Sequence, residues 1–134
     1  MNETIQFLQT TTLKPELGIN RQQLFKKLTA EFTNIGIQVF YLDGKEITNK
    51  QTFLKQAGET LKFPAYYGQN WDAFNDCITD LKWCPARAYI LIYDQPEIFA
   101  KAEPDQWQIA LTILNSTVEY WQEKSIPMDV FLLN

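Results

Sequence analysis

The sequence contains no histidine and only two cysteines, and both shortages exclude common kinds of functional site. Without histidine, the chain lacks the side chain that most often serves as a general base or metal ligand. Cys77 and Cys84 are too few for a disulfide framework or for a thiolate metal site. Cys84 also lacks a histidine that would activate it as a nucleophile. We therefore expect no catalytic residue, no metal and no cofactor.

Long apolar segments and an excess of basic residues are also missing. No stretch approaches the roughly 20 apolar residues that a membrane-spanning helix needs, and the first residues lack the pattern of a signal peptide. The chain has 12 Lys+Arg against 16 Asp+Glu, a net charge of −4, whereas nucleic-acid binding needs a basic surface that neutralises phosphates. We expect a cytoplasmic protein that binds neither membranes nor nucleic acid directly, and its acidity suits a basic protein partner.

The 134 residues do contain enough apolar side chain, 46% of the total, for one folded core. Their periodicity predicts alternating elements: a helix from about 20, a strand at 37–42, a helix from 48 to 61, a loop and helix at 66–80, a strand at 87–93, a helix at 104–124 and a strand at 128–133. Residues 4–8 also allow a short strand. This alternation indicates a parallel sheet with crossover helices.

Three local signals predict where the first two helices begin and end. Asn20 with Gln23 forms a capping-box pattern at the start of the first helix, and Gly36 suits the position just past its end. Thr48 with Gln51 offers the same capping-box pattern for the second helix. The apolar residues that follow each cap recur at helical spacing, so both helices should bury one face.

Residues 66–80, Tyr-Tyr-Gly-Gln-Asn-Trp-Asp-Ala-Phe-Asn-Asp-Cys-Ile-Thr-Asp, should begin as a loop and continue as a short helix. We expect Gly68 to adopt a backbone conformation that other residues resist, and Asn70 to cap the helix with its side-chain oxygen. Apolar residues follow the cap at helical spacing and should form the buried face: Phe74, Cys77, Ile78 and Leu81. Of Tyr66 and Tyr67, we expect one to pack inward and the other to face outward.

Three aspartates stand four residues apart on another face of this helix: Asp72, Asp76 and Asp80. Like charges at this spacing destabilise an isolated helix by about 0.2–0.5 kcal/mol per pair. A solvated helix face is the simplest interpretation. However, Tyr66 and Tyr67 lie just upstream, and Thr79 lies on the same side as the first two aspartates. Acids, a hydroxyl and aromatic rings on one exposed surface favour a docking surface for a cationic partner.

An enzymatic alternative is that the aspartates hold Mg²⁺ for phosphoryl transfer. Eight residues of helix span about 12 Å, so Asp72 and Asp80 cannot share one ion. Asp72 and Asp76 could share one, but Mg²⁺ sites usually need further ligands or substrate phosphates. The lone Gly68 does not make a phosphate-binding loop. We therefore expect the protein not to be an enzyme.

The segment 66–80 resembles the central segment of the barstar family of ribonuclease inhibitors, and the resemblance extends from about Ile37 to the C-terminus. It implies an α/β fold in which helices surround a small three-stranded parallel sheet. Residues 37–134 would form this barstar-like domain. Residues 1–36 would be an N-terminal extension that contains an extra helix and packs on the domain.

The resemblance also implies a function. In the family, this loop and helix plug the active-site cleft of a basic ribonuclease, where carboxylates meet the residues that hold RNA phosphate. By position, Asp72 and Asp76 would be the principal anchors. The full set of predicted partner-binding residues is Tyr66, Tyr67, Asn70, Asp72, Asn75, Asp76, Thr79 and Asp80. The family also uses a glutamate on the helix before the last strand, for which Glu119 and Glu123 are the candidates.

Two residues depart from the family pattern. The family has an aromatic residue where this chain has Asn75, and a glycine where it has Asp80. The first hypothesis is an inhibitor or immunity protein for a basic ribonuclease or related toxin. The departures support an alternative, a barstar-like interaction module whose partner is not a nuclease.

Overall fold

The computed structural model describes residues 5–8 and 21–133, and within them four parallel strands form one open sheet. The strands are β1 (Ile5–Leu8), β2 (Ile37–Asp43), β3 (Ala88–Asp94) and β4 (Met128–Leu133). Their order across the sheet is β1-β4-β3-β2. At its centre, Leu91 of β3 is in register with Phe40 and Val130. The predicted three-stranded parallel sheet is confirmed as β2, β3 and β4, and β1 adds a fourth strand beside β4.

Five α-helices occur among the described residues: α1 (Arg21–Thr33), α2 (Lys50–Thr60), α3 (Trp71–Ile78), α4 (Glu97–Ala102) and α5 (Pro104–Glu123). The extra helix predicted for the N-terminal extension is α1. Gly36 follows it with a φ of 84°, a conformation that favours glycine, as predicted. The predicted cap by Asn20 lies outside the described residues, and so does the side chain of Gln23. No helix in the described part of the chain is long and apolar enough to cross a membrane.

The cap of α2 lies one residue later than the sequence predicted. Asn49, not Thr48, accepts a hydrogen bond from the backbone N–H of Thr52 at 2.8 Å. The Thr52 hydroxyl accepts one from the backbone N–H of Asn49 at 3.0 Å, which completes a capping box. The predicted pairing of Thr48 with Gln51 was wrong because asparagine is the stronger cap residue of the two neighbours.

The sheet separates two apolar layers because alternate strand residues point to opposite faces. The larger layer lies under α2, α3, α4 and α5, and contains Leu91 and Val130 at its centre. The smaller layer lies under α1, where Phe25 packs against Val39, Ile92 and Leu133. The α3 helix, which carries the predicted binding residues, therefore rests on the larger core.

Phe53 of α2 is the centre of an aromatic cluster in the larger core and is 0% exposed. Its ring centroid lies 5.6 Å from that of Trp71 and 5.3 Å from that of Phe74, both on α3. The rings of Tyr93 and Phe99 lie 5.9 Å and 5.5 Å away. One side chain therefore joins α2, α3, β3 and α4, and fixes where α3 sits.

Candidate protein-binding surface at residues 66–80

The start of α3 is built by two polar residues in the preceding loop. Asn70 accepts a hydrogen bond from the backbone N–H of Ala73 at 2.8 Å, which confirms the predicted cap. Gln69 has a φ of 52°, whereas Gly68 does not have a positive φ. The prediction that Gly68 supplies the unusual conformation was therefore wrong: the left-handed residue is Gln69, immediately before the cap.

The two tyrosines of the loop take different roles, as predicted. Tyr66 is 69% exposed. The hydroxyl of Tyr67 donates a hydrogen bond to the backbone carbonyl of Leu54 at 2.9 Å. The Tyr67 ring packs against the Phe63 ring, with the two centroids 4.8 Å apart. A Cβ at Gly58 would lie 2.7 Å from the Tyr67 ring, so glycine there permits the close approach. Tyr66 can thus contact a partner, whereas Tyr67, although predicted to bind one, anchors the loop to α2.

The inward position of Tyr67 predicts a loss of stability in alkaline solution. Burial raises the pKa of the Tyr67 phenol well above its ordinary value, and the nearby Cys77 raises it further. A phenol with a raised folded-state pKa stabilises the fold fully below its unfolded pKa of about 10, and this contribution is lost as the pH rises above that value. We expect the urea-measured free energy of unfolding to fall above about pH 10. Tyr67→Phe should make that fall shallower, whereas Tyr66→Phe should not. Equal slopes for the two variants would contradict the prediction.

The three aspartates of the predicted surface are all exposed: Asp72, Asp76 and Asp80. Within residues 5–8 and 21–133, none of these carboxylates has an ion-pair partner. Two of these carboxylates also affect a buried group. Burial raises the pKa of the Cys77 thiol, and the negative charges of Asp76 and Asp80 raise it further. The aspartates thus form an exposed negative surface that no cation in the described part of the chain pairs with.

Asn75 and Thr79 lie between these aspartates along the chain. The Asn75 side chain is exposed, and its backbone carbonyl accepts a hydrogen bond from the Thr79 hydroxyl at 2.7 Å. The Thr79 proton is therefore used within the helix. Its oxygen still has a lone pair and can accept a hydrogen bond from a donor on a partner.

Two tryptophans fix α3 beside α5, and sequence reasoning did not foresee either bond. The indole N–H of Trp71 donates to the side-chain oxygen of Gln106 at 2.9 Å. The indole N–H of Trp121 donates to the backbone carbonyl of Ile78 at 2.9 Å. Trp121 is buried in the core, and a contact between distant residues leaves no local pattern in the sequence. These two bonds therefore hold the start of α3 near the start of α5, and the end of α3 near the end of α5.

Glu119 and Glu123, the predicted glutamate candidates, lie near the end of α5. Both are exposed. Each is two residues from the buried Trp121, which corresponds to about 200° around a helix. They therefore lie on the outer face of α5, opposite the stripe that faces the core.

No metal site accompanies the surface in the described ranges, 5–8 and 21–133. No group of three or more cysteine, aspartate or glutamate side chains there could hold a metal ion. The spacing of Asp72 and Asp80 also corresponds to about 12 Å of helix, too far for them to bind one ion together. What the surface offers chemically is negative charge, exposed hydrogen-bond acceptors and one exposed phenol ring.

Comparison with known proteins assigns the family. A family model described as Barstar (barnase inhibitor) matches residues 37–133, from the first residue of β2 to the last of β4. The chain belongs to the barstar family. The match includes the whole loop and helix 66–80 and leaves out β1 and α1, so the barstar fold here carries one added strand and one added helix.

The fold of this chain is similar to that of solved structures, among them one protein chain from Aeropyrum pernix. The structure of the Aeropyrum pernix ORC2 protein, in ADPNP–ADP complexes, superposes with a TM-score of 0.57 and 14% sequence identity. The similarity covers 97% of this chain and 35% of that one, so this protein corresponds to about a third of its length. At this identity the likeness shows the fold alone. No curated protein matches the sequence.

Proposed function

We propose that this barstar-family protein inhibits a basic ribonuclease by inserting residues 66–80 into its active-site cleft. The observation that carries the proposal is the exposed row Asp72, Asp76 and Asp80, which has no ion-pair partner among the described residues, beside the exposed ring of Tyr66. The family description as barnase inhibitor supports the same class of partner. The acids would occupy the positions of RNA phosphates and exclude the substrate.

The rigidity of the surface supports tight binding. The Asn70 cap fixes the first turn of α3, and the hydrogen bond from Trp71 to Gln106 holds α3 against α5. Beneath the helix, Phe74 packs against Phe53. A surface already held in its binding conformation loses less entropy on association. Hydrogen bonds between carboxylates and arginine or lysine are about twice as strong as neutral ones. A cleft lined with such residues would thus bind this surface in competition with RNA.

We further propose that the protein has no catalytic activity of its own and acts in the cytoplasm as an immunity protein against a toxic ribonuclease. Both cysteines, Cys77 and Cys84, are free thiols in the structure. Free thiols are typical of proteins in a reducing compartment. Cellular RNA in the same compartment would be the target of the enzyme that the inhibitor restrains.

A second candidate function is an interaction module with a non-nuclease partner. Asn75 and Asp80 favour it, because both are exposed and both depart from the residues that the resemblance predicts at these positions. The surface would still be negative and rigid. The partner would be a basic protein that presents no RNA-binding cleft.

The experiment that tests the proposed function is a steady-state inhibition assay with the purified protein, barnase and a small panel of other basic ribonucleases. We expect inhibition of at least one enzyme, with an apparent inhibition constant that rises linearly with the RNA concentration. An inhibition constant independent of RNA would contradict occlusion of the active site. Absence of inhibition across the panel, together with a stoichiometric complex with a purified non-nuclease protein, would favour the interaction module.

A further inference from the structure

A stripe of apolar side chains is exposed on α5, outside its buried face. Ile109 is 39% exposed and Tyr120 is 36% exposed, and Ile113 between them is partly exposed. The Tyr120 ring is held in place by Trp121, whose ring centroid lies 5.3 Å away, and the Lys124 ammonium lies 5.4 Å from its centroid. We call Ile109, Ile113 and Tyr120 the α5 stripe. Part of the apolar area of each of its residues faces solvent.

The α5 stripe lies on the side of α5 that faces α3. Gln106, Ile113 and Tyr120 are spaced by seven residues, and positions seven apart on a helix differ by only about 20°. Gln106 contacts Trp71 of α3, so Ile113 and Tyr120 continue along the same flank. Ile109 precedes Ile113 by one turn.

On α3, the flank that faces α5 carries part of the predicted binding surface. Trp71 points toward α5, and Asn75 and Thr79 follow it at four and eight residues. Residues four apart on a helix are surface neighbours. Asn75 and Thr79 therefore stand between the aspartates of α3 and the α5 stripe, and the acidic and apolar areas form one continuous surface.

We propose that the partner bound by residues 66–80 also packs against the α5 stripe, so that it carries an apolar rim beside its basic cleft. The inference rests on the proposed function. An apolar patch bordered by polar residues is typical of a protein interface. Asn75 gives α3 a polar side chain where the resemblance predicts an aromatic one, and the α5 stripe supplies apolar area next to it. A second copy of this chain fits less well, because it would bring two acidic surfaces together.

The test uses the full chain with Ile109→Ser and Tyr120→Ser combined, in the inhibition assay with barnase and the ribonuclease panel. We expect inhibition to weaken about 10- to 100-fold, because a few apolar or aromatic residues usually dominate an interface. Ile35→Ser is the matched control, since Ile35 is an exposed isoleucine on the turn after α1. It should inhibit as the wild type does, and the urea midpoints of all variants should agree.

The salt dependence gives a second readout. Salt screens exposed charges but not apolar contacts, so the double variant should lose affinity between 0.05 and 0.5 M NaCl by about the same factor as the wild type. A folded double variant that inhibits as strongly as the wild type would overturn this inference and leave the proposed function standing. A wild-type protein that inhibits no enzyme of the panel would overturn both.

Discussion

Replacing Asp72 and Asp76 together with lysine should weaken inhibition of the ribonuclease by about a thousandfold. Central interface residues commonly contribute 2 kcal/mol or more each, and about 4 kcal/mol corresponds to nearly three decades in affinity. The substitution also places two cations against a cationic cleft. Because both side chains are exposed and make no ion pair in the described part of the chain, the fold should survive.

The measurement is a comparison of inhibition constants, with circular dichroism and urea unfolding to show that each variant is folded. The matched control is Glu46→Lys with Asp129→Lys, which changes the net charge equally at two exposed positions away from α3. The control should lose affinity only modestly, and the loss should vanish at high salt. Tight inhibition by the folded Asp72 and Asp76 variant would show that another surface binds the enzyme.

The same assay tests whether Glu119 and Glu123 contribute to binding of the partner. Both lie on the outer face of α5, and the α5 stripe separates them from α3. Their joint replacement by lysine should therefore resemble the Glu46 and Asp129 control more than the α3 variant. An equally large loss would mean that the partner extends across α5 to its outer face.

Features encoded by neighbouring residues could be predicted from the sequence. The Asn70 cap, the apolar face through Phe74 and Ile78, and the first position of α5 at Pro104 each depend on residues within one or two turns. The strands predicted at 37–42, 87–93 and 128–133 from short apolar runs are present within one residue, at 37–43, 88–94 and 128–133. The resemblance at 66–80 then predicted the three-stranded parallel sheet and the barstar family, because a resemblance to a family implies its whole fold.

The sequence predictions were wrong where two neighbouring residues suited the same structural position. They were incomplete where two residues in contact are far apart in the sequence. Thr48 and Asn49 both suit a helix cap, and Asn49 takes the position because asparagine is the stronger cap residue. Gly68 is the residue most tolerant of a positive φ, yet Gln69 adopts it because the cap at Asn70 fixes the turn there. The bonds from α5 to α3 join residues 35 and 43 positions apart, so no window of sequence contains them.

Phe53→Ala should produce the largest loss of stability of the variants considered, about 3–5 kcal/mol in the free energy of unfolding. Phe53 is fully buried, and its ring lies within 6 Å of four other aromatic rings. Truncation removes apolar burial and leaves a cavity that four rings on three separate elements, α3, β3 and α4, cannot all close. Urea unfolding monitored by tryptophan fluorescence measures the change.

A control and a milder variant keep this prediction testable if the alanine variant is too unstable to purify. Phe32→Ala removes the same ring from a partly exposed position on α1 and should cost clearly less. Phe53→Leu retains most of the volume and should cost about 1.5 kcal/mol or less. A cost below about 1 kcal/mol for Phe53→Ala would mean that the aromatic cluster is not the main support of α3.

The Phe53→Leu variant also connects the core to the binding surface. Phe53 contacts Trp71 and Phe74, the two residues that seat α3, so a smaller side chain should let α3 shift by a fraction of an ångström. Such a shift displaces Asp72 and Asp76 together without changing their charge. We therefore expect a folded Phe53→Leu protein to dissociate faster from the ribonuclease with little change in its association rate, because steering by charge is preserved while preorganisation is reduced. An unchanged dissociation rate would show that the partner itself sets the position of α3.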